Sequence, residues 1–239
     1  MRKTTRIGAI VGGIISLTLA APAVATPARA AVNGLDSNAK AEIGEKLSDF
    51  GVGPEKVNDL IDALEAGDAW DSMTMDAEPA SATTTTETRH GHRFAATTLT
   101  YPDGSVARTE RELAAKPAAT DASALATGIS GCQVTTAASY TYFDNCNIRW
   151  ENAIAYMDYY ADYRMLPGRQ GAGFIDDVYN YAYDVTGASR ASGSLRIEVP
   201  SGNPARAVST ISYTLVETAD SGQASVALLV DSGGGRLQY

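Results

Sequence analysis

Alternation over residues 153–165 constrains this chain more than any other feature. One register carries Ala153, Ala155, Met157, Tyr159, Ala161, Tyr163 and Met165, and the other carries Ile154, Tyr156, Asp158, Tyr160, Asp162 and Arg164. Period-two segregation predicts a strand with one buried and one wet face. A helix would instead stack Asp158 above Asp162 at i,i+4, beside residues that must be buried. It would also have to absorb an aromatic composition that prefers a pleated surface. Nine of the twelve tyrosines fall between Tyr140 and Tyr183, so the next apolar-aromatic run, Val178–Asp184, reads as a second strand of the same kind.

The two cysteines, Cys132 and Cys146, flank the start of this region and are the only ones in the chain. Their meaning depends on compartment. Residues 1–30 read as a secretory signal: Arg2, Lys3 and Arg6 give a positive start, Ile7 to Ala21 is apolar and small, and Ala28-Arg29-Ala30 offers an A-x-A cleavage site. There is no adjacent Arg-Arg pair, no Cys after the cleavage site and no wall-sorting motif, so the expected product is a secreted chain starting at Ala31. In an oxidising compartment two cysteines make one disulfide, here closing a loop of about 15 residues. The alternative, a catalytic thiol, needs a base, and the only histidines are His90 and His92 in a separate polar stretch.

Removing residues 1–30 takes away Arg2, Lys3, Arg6 and Arg29, which leaves 15 Lys+Arg against 28 Asp+Glu, a formal charge of −13. Such a surface repels phosphate backbones and anionic lipid, so nucleic-acid and membrane partners are not expected. Nothing after the leader reaches the ~18 apolar residues of a membrane span.

Before the tyrosine strands the chain reads as helix, connector, hairpin and linker. Residues 36–50 form a first helix presenting Ala41, Ile43, Leu47 and Phe50, with Gly51 placed as its C′ glycine. Gly53-Pro54 opens a second, in which Val57, Leu60, Ile61 and Leu64 follow at i, i+3, i+4 and i+7 until Gly67. Trp70 is expected to cap the apolar seam of the pair. The unit reads either as a partner-binding helical hairpin or as a small packed subdomain docked on the rest. Residues 74–89 read as an exposed connector with an unbroken run Thr83–Thr86. A hairpin follows, Phe94–Tyr101 and Val106–Glu112 around Pro102-Asp103-Gly104-Ser105. Residues 113–130 read as a linker too poor in large apolar side chains for a core.

From residue 131 to 239 six or seven strands with turn signals predict an antiparallel sandwich or barrel. The expected fold is therefore mainly β: a disulfide-bearing antiparallel β domain (131–239), preceded by a helical hairpin (31–78), a connector with a β-hairpin (79–112) and a linker (113–130).

Several motifs, D-F-G-V (residues 49–52), L-I-D-A-L-E-A-G-D-A-W-D-S-M (60–73), Y-P-D-G-S-V (101–106), G-C-x13-C (131–146) and Y-Y-A-D-Y (159–163), resemble an uncharacterised family of secreted actinobacterial proteins. The resemblance implies export and this helix-pair-plus-β layout. It brings no activity and no catalytic residues.

Candidate chemistry is sparse. His90-Gly91-His92 offers two imidazoles for Zn²⁺ or Cu²⁺, but no third ligand has convincing spacing, and exposed connector histidines are the reading kept. Asp176 and Asp177 are adjacent and so point to opposite faces. Asp158 and Asp162 share a face but stand ~13 Å apart, too far for a glycosidase pair. There is no G-x-S-x-G, and Gly233-Gly234-Gly235 lacks the Lys-Ser/Thr of a phosphate loop. No catalytic residue, metal site or cofactor is assigned. The candidate binding face is the wet register Tyr156, Asp158, Tyr160, Asp162 and Arg164, whose aromatic rings beside carboxylates and a guanidinium suit a cell-wall glycan or an extracellular protein. The competing reading places these tyrosines in core or rim, beneath a second sheet or the helical hairpin. A hydrolase using carboxylates from several strands is the alternative function.

Overall fold

In a computed structural model of the chain, the alternating segment is a strand whose burial follows the sequence position by position. Ala155, Met157, Tyr159, Ala161 and Tyr163 are buried, and Tyr156, Asp158, Tyr160, Asp162 and Arg164 are half-buried between them. The structure describes residues 35–74, 76–114, 131–137, 139–166, 173–215 and 221–239. The expected leader and nearly all of the expected linker lie outside the described residues.

The strands are β1 (Ser81–Arg89), β2 (His92–Thr100), β3 (Val106–Leu113), β4 (Gln133–Ala137), β5 (Tyr140–Asn152), β6 (Ala155–Met165), β7 (Gly173–Val185), β8 (Ala188–Val199), β9 (Ser201–Gly202), β10 (Ala205–Leu215), β11 (Ser221–Asp231) and β12 (Gly234–Gln238). They make two antiparallel sheets. The large one has eight strands in the order β1-β2-β3-β5-β6-β7-β9, with β4 pairing on β5; the small one has the order β12-β11-β10-β8. Both sheets keep open edges, so the arrangement is sandwich-like and not a closed barrel. The expected β domain contributes nine of these strands, β4–β12, where six or seven are expected from the turn signals.

The small sheet lies over β6 and β7. Ile148, Trp150, Met157, Tyr159, Tyr163 and Ile175 from the large sheet share one core with Ile211, Tyr213, Val226, Leu228 and Val230 from the small one. The Tyr181 hydroxyl donates to the Thr210 carbonyl across the gap (2.9 Å), and the sheets approach so closely that Gly173 has no room for a side chain beside Val230. Burial drives the Tyr159, Tyr181 and Tyr213 hydroxyls far above their ordinary pKa, so all three stay neutral.

The helices are α1 (Ser37–Asp49), capped by the Asp36 carboxylate on the Asn38 and Ala39 amides, and α2 (Pro54–Ala66), opened by its N1 proline. Gly51 (φ 85°) and Gly67 (φ 90°) end them in the left-handed conformation that favours glycine. Ile43, Leu47, Val57, Leu60 and Leu64 are buried as the spacing predicts, but Ala41 is exposed, and Leu35 and Ala39 take the inward line instead. Trp70 closes the seam, donating from Nε1 to the Leu60 carbonyl at 2.7 Å. The pair docks on the sheet ends through the 70–73 turn: the Asp71 amide donates to Asp103, the Ser72 amide to Ser105 Oγ, and Asn152 Nδ2 to the Ser72 carbonyl.

Two sequence expectations change. The exposed connector over 74–89 is in large part a strand, β1, which pairs with β2 over its full nine residues. The hairpin it belongs to is not a separate part. Ala107–Arg111 of β3 pair with Ile148–Asn152 of β5, so the hairpin and the tyrosine strands share one sheet. Cys132 and Cys146 are disulfide-bonded and buried, tying the start of β4 to the middle of β5.

Candidate functional site

The face of the large sheet turned away from the small one is built from the outward registers of β5, β6 and β7. Opposite the five β6 residues stand Glu151, Arg149, Asn147 and Tyr142 on β5 and Asp184, Ala182, Tyr179, Asp177 and Phe174 on β7. All five sequence-predicted residues are brought onto this one face, and each is half-buried. The small sheet does not cover it. The C-terminal end of α1 borders this face across a cleft of about 280 Å³ lined by Lys46, Phe50, Arg108, Arg149, Glu151 and Tyr156 among others.

At the β6 C-terminal end, the Arg164 guanidinium lies over the rings of Phe174 (4.9 Å), Tyr140 (5.4 Å) and Tyr142 (5.9 Å), and its Nη2 is 3.3 Å from Asp176. Arg164 is therefore already occupied by three rings and a carboxylate, and it organises an aromatic patch instead of offering a free cation. In the middle, the Tyr160 and Tyr179 rings stack with centroids 6.0 Å apart. Tyr179 Oη donates toward Asp162 (3.1 Å) and Asn145 (3.2 Å), and the Asn145 amide donates to the same Asp162 oxygen at 2.6 Å. Desolvation and then the Asp162 carboxylate push the Tyr179 hydroxyl up to about 12. At the other end, Arg149 stacks over the Tyr156 ring (4.8 Å) and donates to Glu151 from Nη2 at 2.6 Å. Burial raises the Asp158 carboxyl, a shift that the neighbouring Arg149 and a hydrogen bond from Asn147 partly offset.

Three register irregularities bring in residues that alternation could not place. One in β5 lies between Phe143 and Cys146 and sets Asn145 at φ 58°, beside Asp144. Others in β7 carry Asp176, Asp177 and Tyr179 out of simple period-two phase. The result is a group of acidic side chains from three adjacent strands. The Asp144 carboxyl is raised first by desolvation, then by Asp162 and Asp176. Arg149 was legible, because Asn147, Arg149 and Glu151 alternate with buried Ile148 and Trp150. Tyr179 and Asp144 were not.

The histidines separate. His90 (φ 51°) and Gly91 (φ 83°) form the two-residue turn between β1 and β2. His92 belongs to β2, where its Nδ1 lies 2.8 Å from buried Glu112. It is therefore not an exposed connector residue. Among the described residues no group of three or more His, Cys, Asp or Glu is placed to hold a metal ion, and no helix is long and apolar enough to cross a membrane. A second cleft, about 370 Å³, is lined by Tyr101, Trp150, Arg206 and Gln223 among others and contains no nucleophile–base pair among the described residues. Comparison with protein-family models, with curated proteins and with solved structures finds no match.

Proposed function

We propose that this protein is a secreted, non-enzymatic binding module, and that its ligand is a cell-wall glycan held on the outer face of β5–β7. The observation that carries this reading is the single row Tyr156, Asp158, Tyr160, Asp162 and Arg164, half-exposed on a face that the small sheet leaves open. Tyrosine rings stack on the apolar faces of sugar rings, and the carboxylates beside them accept from hydroxyls. Tyr156 and Tyr160 are about 13 Å apart along the strand, so the face spans more than one sugar unit. The rings are already braced by Arg149 and Tyr179, so little side-chain freedom is lost on binding. Export is supported by the leader-like first 30 residues and by the disulfide.

The test is co-sedimentation of the purified protein with isolated cell walls, with and without added salt. The expected result is salt-resistant pelleting that soluble glycan competes away and that Tyr156→Ala with Tyr160→Ala abolishes in a folded protein. Protein that stays in the supernatant overturns the glycan reading and moves the ligand to an extracellular protein partner. Unchanged binding by the double variant overturns the assignment of the face.

One observation favours a second reading, a secreted hydrolase. Asp144, Asp162 and Asp176 come from three neighbouring strands, and the Asp144 carboxyl is raised by its surroundings. A carboxyl shifted upward by its surroundings is shifted in the direction that general-acid catalysis uses. Turnover of a glycan or peptide substrate that is lost in Asp144→Asn would establish it.

A further inference from the structure

The strand β1 has no burial to account for it. Eight of its nine residues are exposed on both faces of the sheet, and only Glu87 is half-buried. It is an edge of the large sheet, paired with β2 alone among the described strands, without a register shift in nine pairs. Edges of this length are ordinarily blunted by charge, proline or a bulge. The comparable edge β8 carries Arg190, Arg196 and Glu198 and has register irregularities against β10. In β1, residues 81–86 are uncharged. Its two charges, Glu87 and Arg89, are drawn onto the sheet face by ion pairs with Arg108 and Glu110.

The turn fixes which backbone groups are free. A two-residue hairpin turn at His90-Gly91 makes Arg89 and His92 a hydrogen-bonded pair. Counting back by twos, Glu87, Thr85, Thr83 and Ser81 also spend their N–H and C=O on β2. Thr88, Thr86, Thr84 and Ala82 therefore direct theirs outward. The close approach of Thr84 Oγ1 to Thr97 Oγ1 (2.9 Å) fits a non-hydrogen-bonded pair, where side chains lie nearest.

We propose that β1 is a pairing edge through which two copies of this chain join antiparallel into one continuous sheet. The sequence S-A-T-T-T-T-E-T-R is self-complementary about Thr85. In that register Ser81 faces Arg89 of the second copy, Ala82 faces Thr88, Thr83 faces Glu87, Thr84 faces Thr86 and Thr85 faces itself. All nine residues find a partner, no like charges are opposed, and the hydrogen-bonded pairs fall on the four residues whose groups point outward. A foreign peptide would need side-chain pockets along the edge to be read. The symmetric pair also closes at two copies, because the opposite edge of the large sheet is the two-residue β9.

Sedimentation equilibrium of the purified protein, up to millimolar concentration, tests this. The expected result is a concentration-dependent dimer strengthened by salt, since the chain carries a formal charge of −9. Thr84→Pro removes an outward donor without touching the β1–β2 ladder and should give a monomer with an unchanged circular dichroism spectrum. Thr84→Lys is the second variant should the proline disturb folding. The register is tested separately. Thr85→Cys places two thiols opposite one another at a Cα separation of about 4.5 Å, within disulfide reach. It should cross-link under mild oxidation, while Thr83→Cys should not. A monomer at every concentration, a dimer that survives both Thr84 variants, or equal cross-linking at 83 and 85 would each overturn the proposal.

Discussion

Removing the disulfide by Cys132→Ala with Cys146→Ala should separate two contributions that the structure places at one point. The cysteines are 14 positions apart, so the bond closes a loop of about 15 residues, and on the loop-entropy account its loss costs about 3 kcal/mol of global stability. A second effect is local. Four of the five residues of β4 are exposed, and among the described strands it pairs only with β5. Ile148, Tyr159 and Tyr163 share their core with residues of the small sheet. Urea unfolding should therefore show a loss of about 3 kcal/mol, with a slope equal to or slightly steeper than the parent's because the unlinked denatured chain exposes more surface. Hydrogen exchange should show the amides of residues 133–137 losing protection well before those of β6. A double variant within about 1 kcal/mol of the parent would refute the loop argument. Equal loss of protection in β4 and β6 would refute the claim that β4 is a separable edge.

Three further outcomes follow from the same coordinates. Gly173→Ala would set a Cβ 1.8 Å from the Val230 carbonyl oxygen, so the sheets must move apart; a loss of about 3 kcal/mol is expected in chemical unfolding. Gly51→Ala, where φ is 85° and nothing lies within 4 Å, should cost only about 1 kcal/mol of backbone strain. Asp158 has a raised folded pKa, so its contribution to stability is fully present below its unfolded value of about 4 and is lost as pH rises through the folded value. Urea midpoints followed from about pH 4 to neutrality should therefore fall less steeply in Asp158→Asn than in the parent; parallel curves would refute the assignment.

How far the sequence could be read depended on whether burial or backbone pairing made each element. β6 was legible because one face meets the small sheet along its whole length, and each buried residue from Ala155 to Tyr163 alternates with a wet one. The helices were legible for the same reason at a period of 3.6, except that Ala41 lies one step off the line that buries Ile43 and Leu47. β1 was not, because a threonine run exposed on both faces leaves no periodic trace and is held by its ladder to β2. Glu110 and Glu112 were hidden differently. Both are buried on β3; Glu110 is held by Arg108 on its own strand and by Arg89, and Glu112 lies beside His92, and the links to Arg89 and His92 span about 20 residues, where no local pattern connects them. The candidate face followed the fate of β6. Its five β6 residues do share one face, while Tyr179 and Asp144 lie beside irregularities that break the period-two phase.

The unequal sheets connect the face to the edge. Eight strands cannot be covered by four, so the small sheet takes β6 and β7, where the large apolar side chains are, and β1 is left exposed on both faces. The outer face must then be stable in water without a covering layer. It achieves this by pairing its polar groups among themselves: Arg149 with Glu151, Arg108 with Glu87 and Glu110, Arg164 with Asp176 and three rings. The more exposed of these pairs add little stability each, but Arg149 and Arg164 brace the aromatic rings beside them. A ligand on such a face meets few unsatisfied charges and several immobilised rings. Its affinity must therefore come from stacking and weak hydroxyl contacts summed along the strand, which favours an extended, uncharged, repeating ligand over a small charged one.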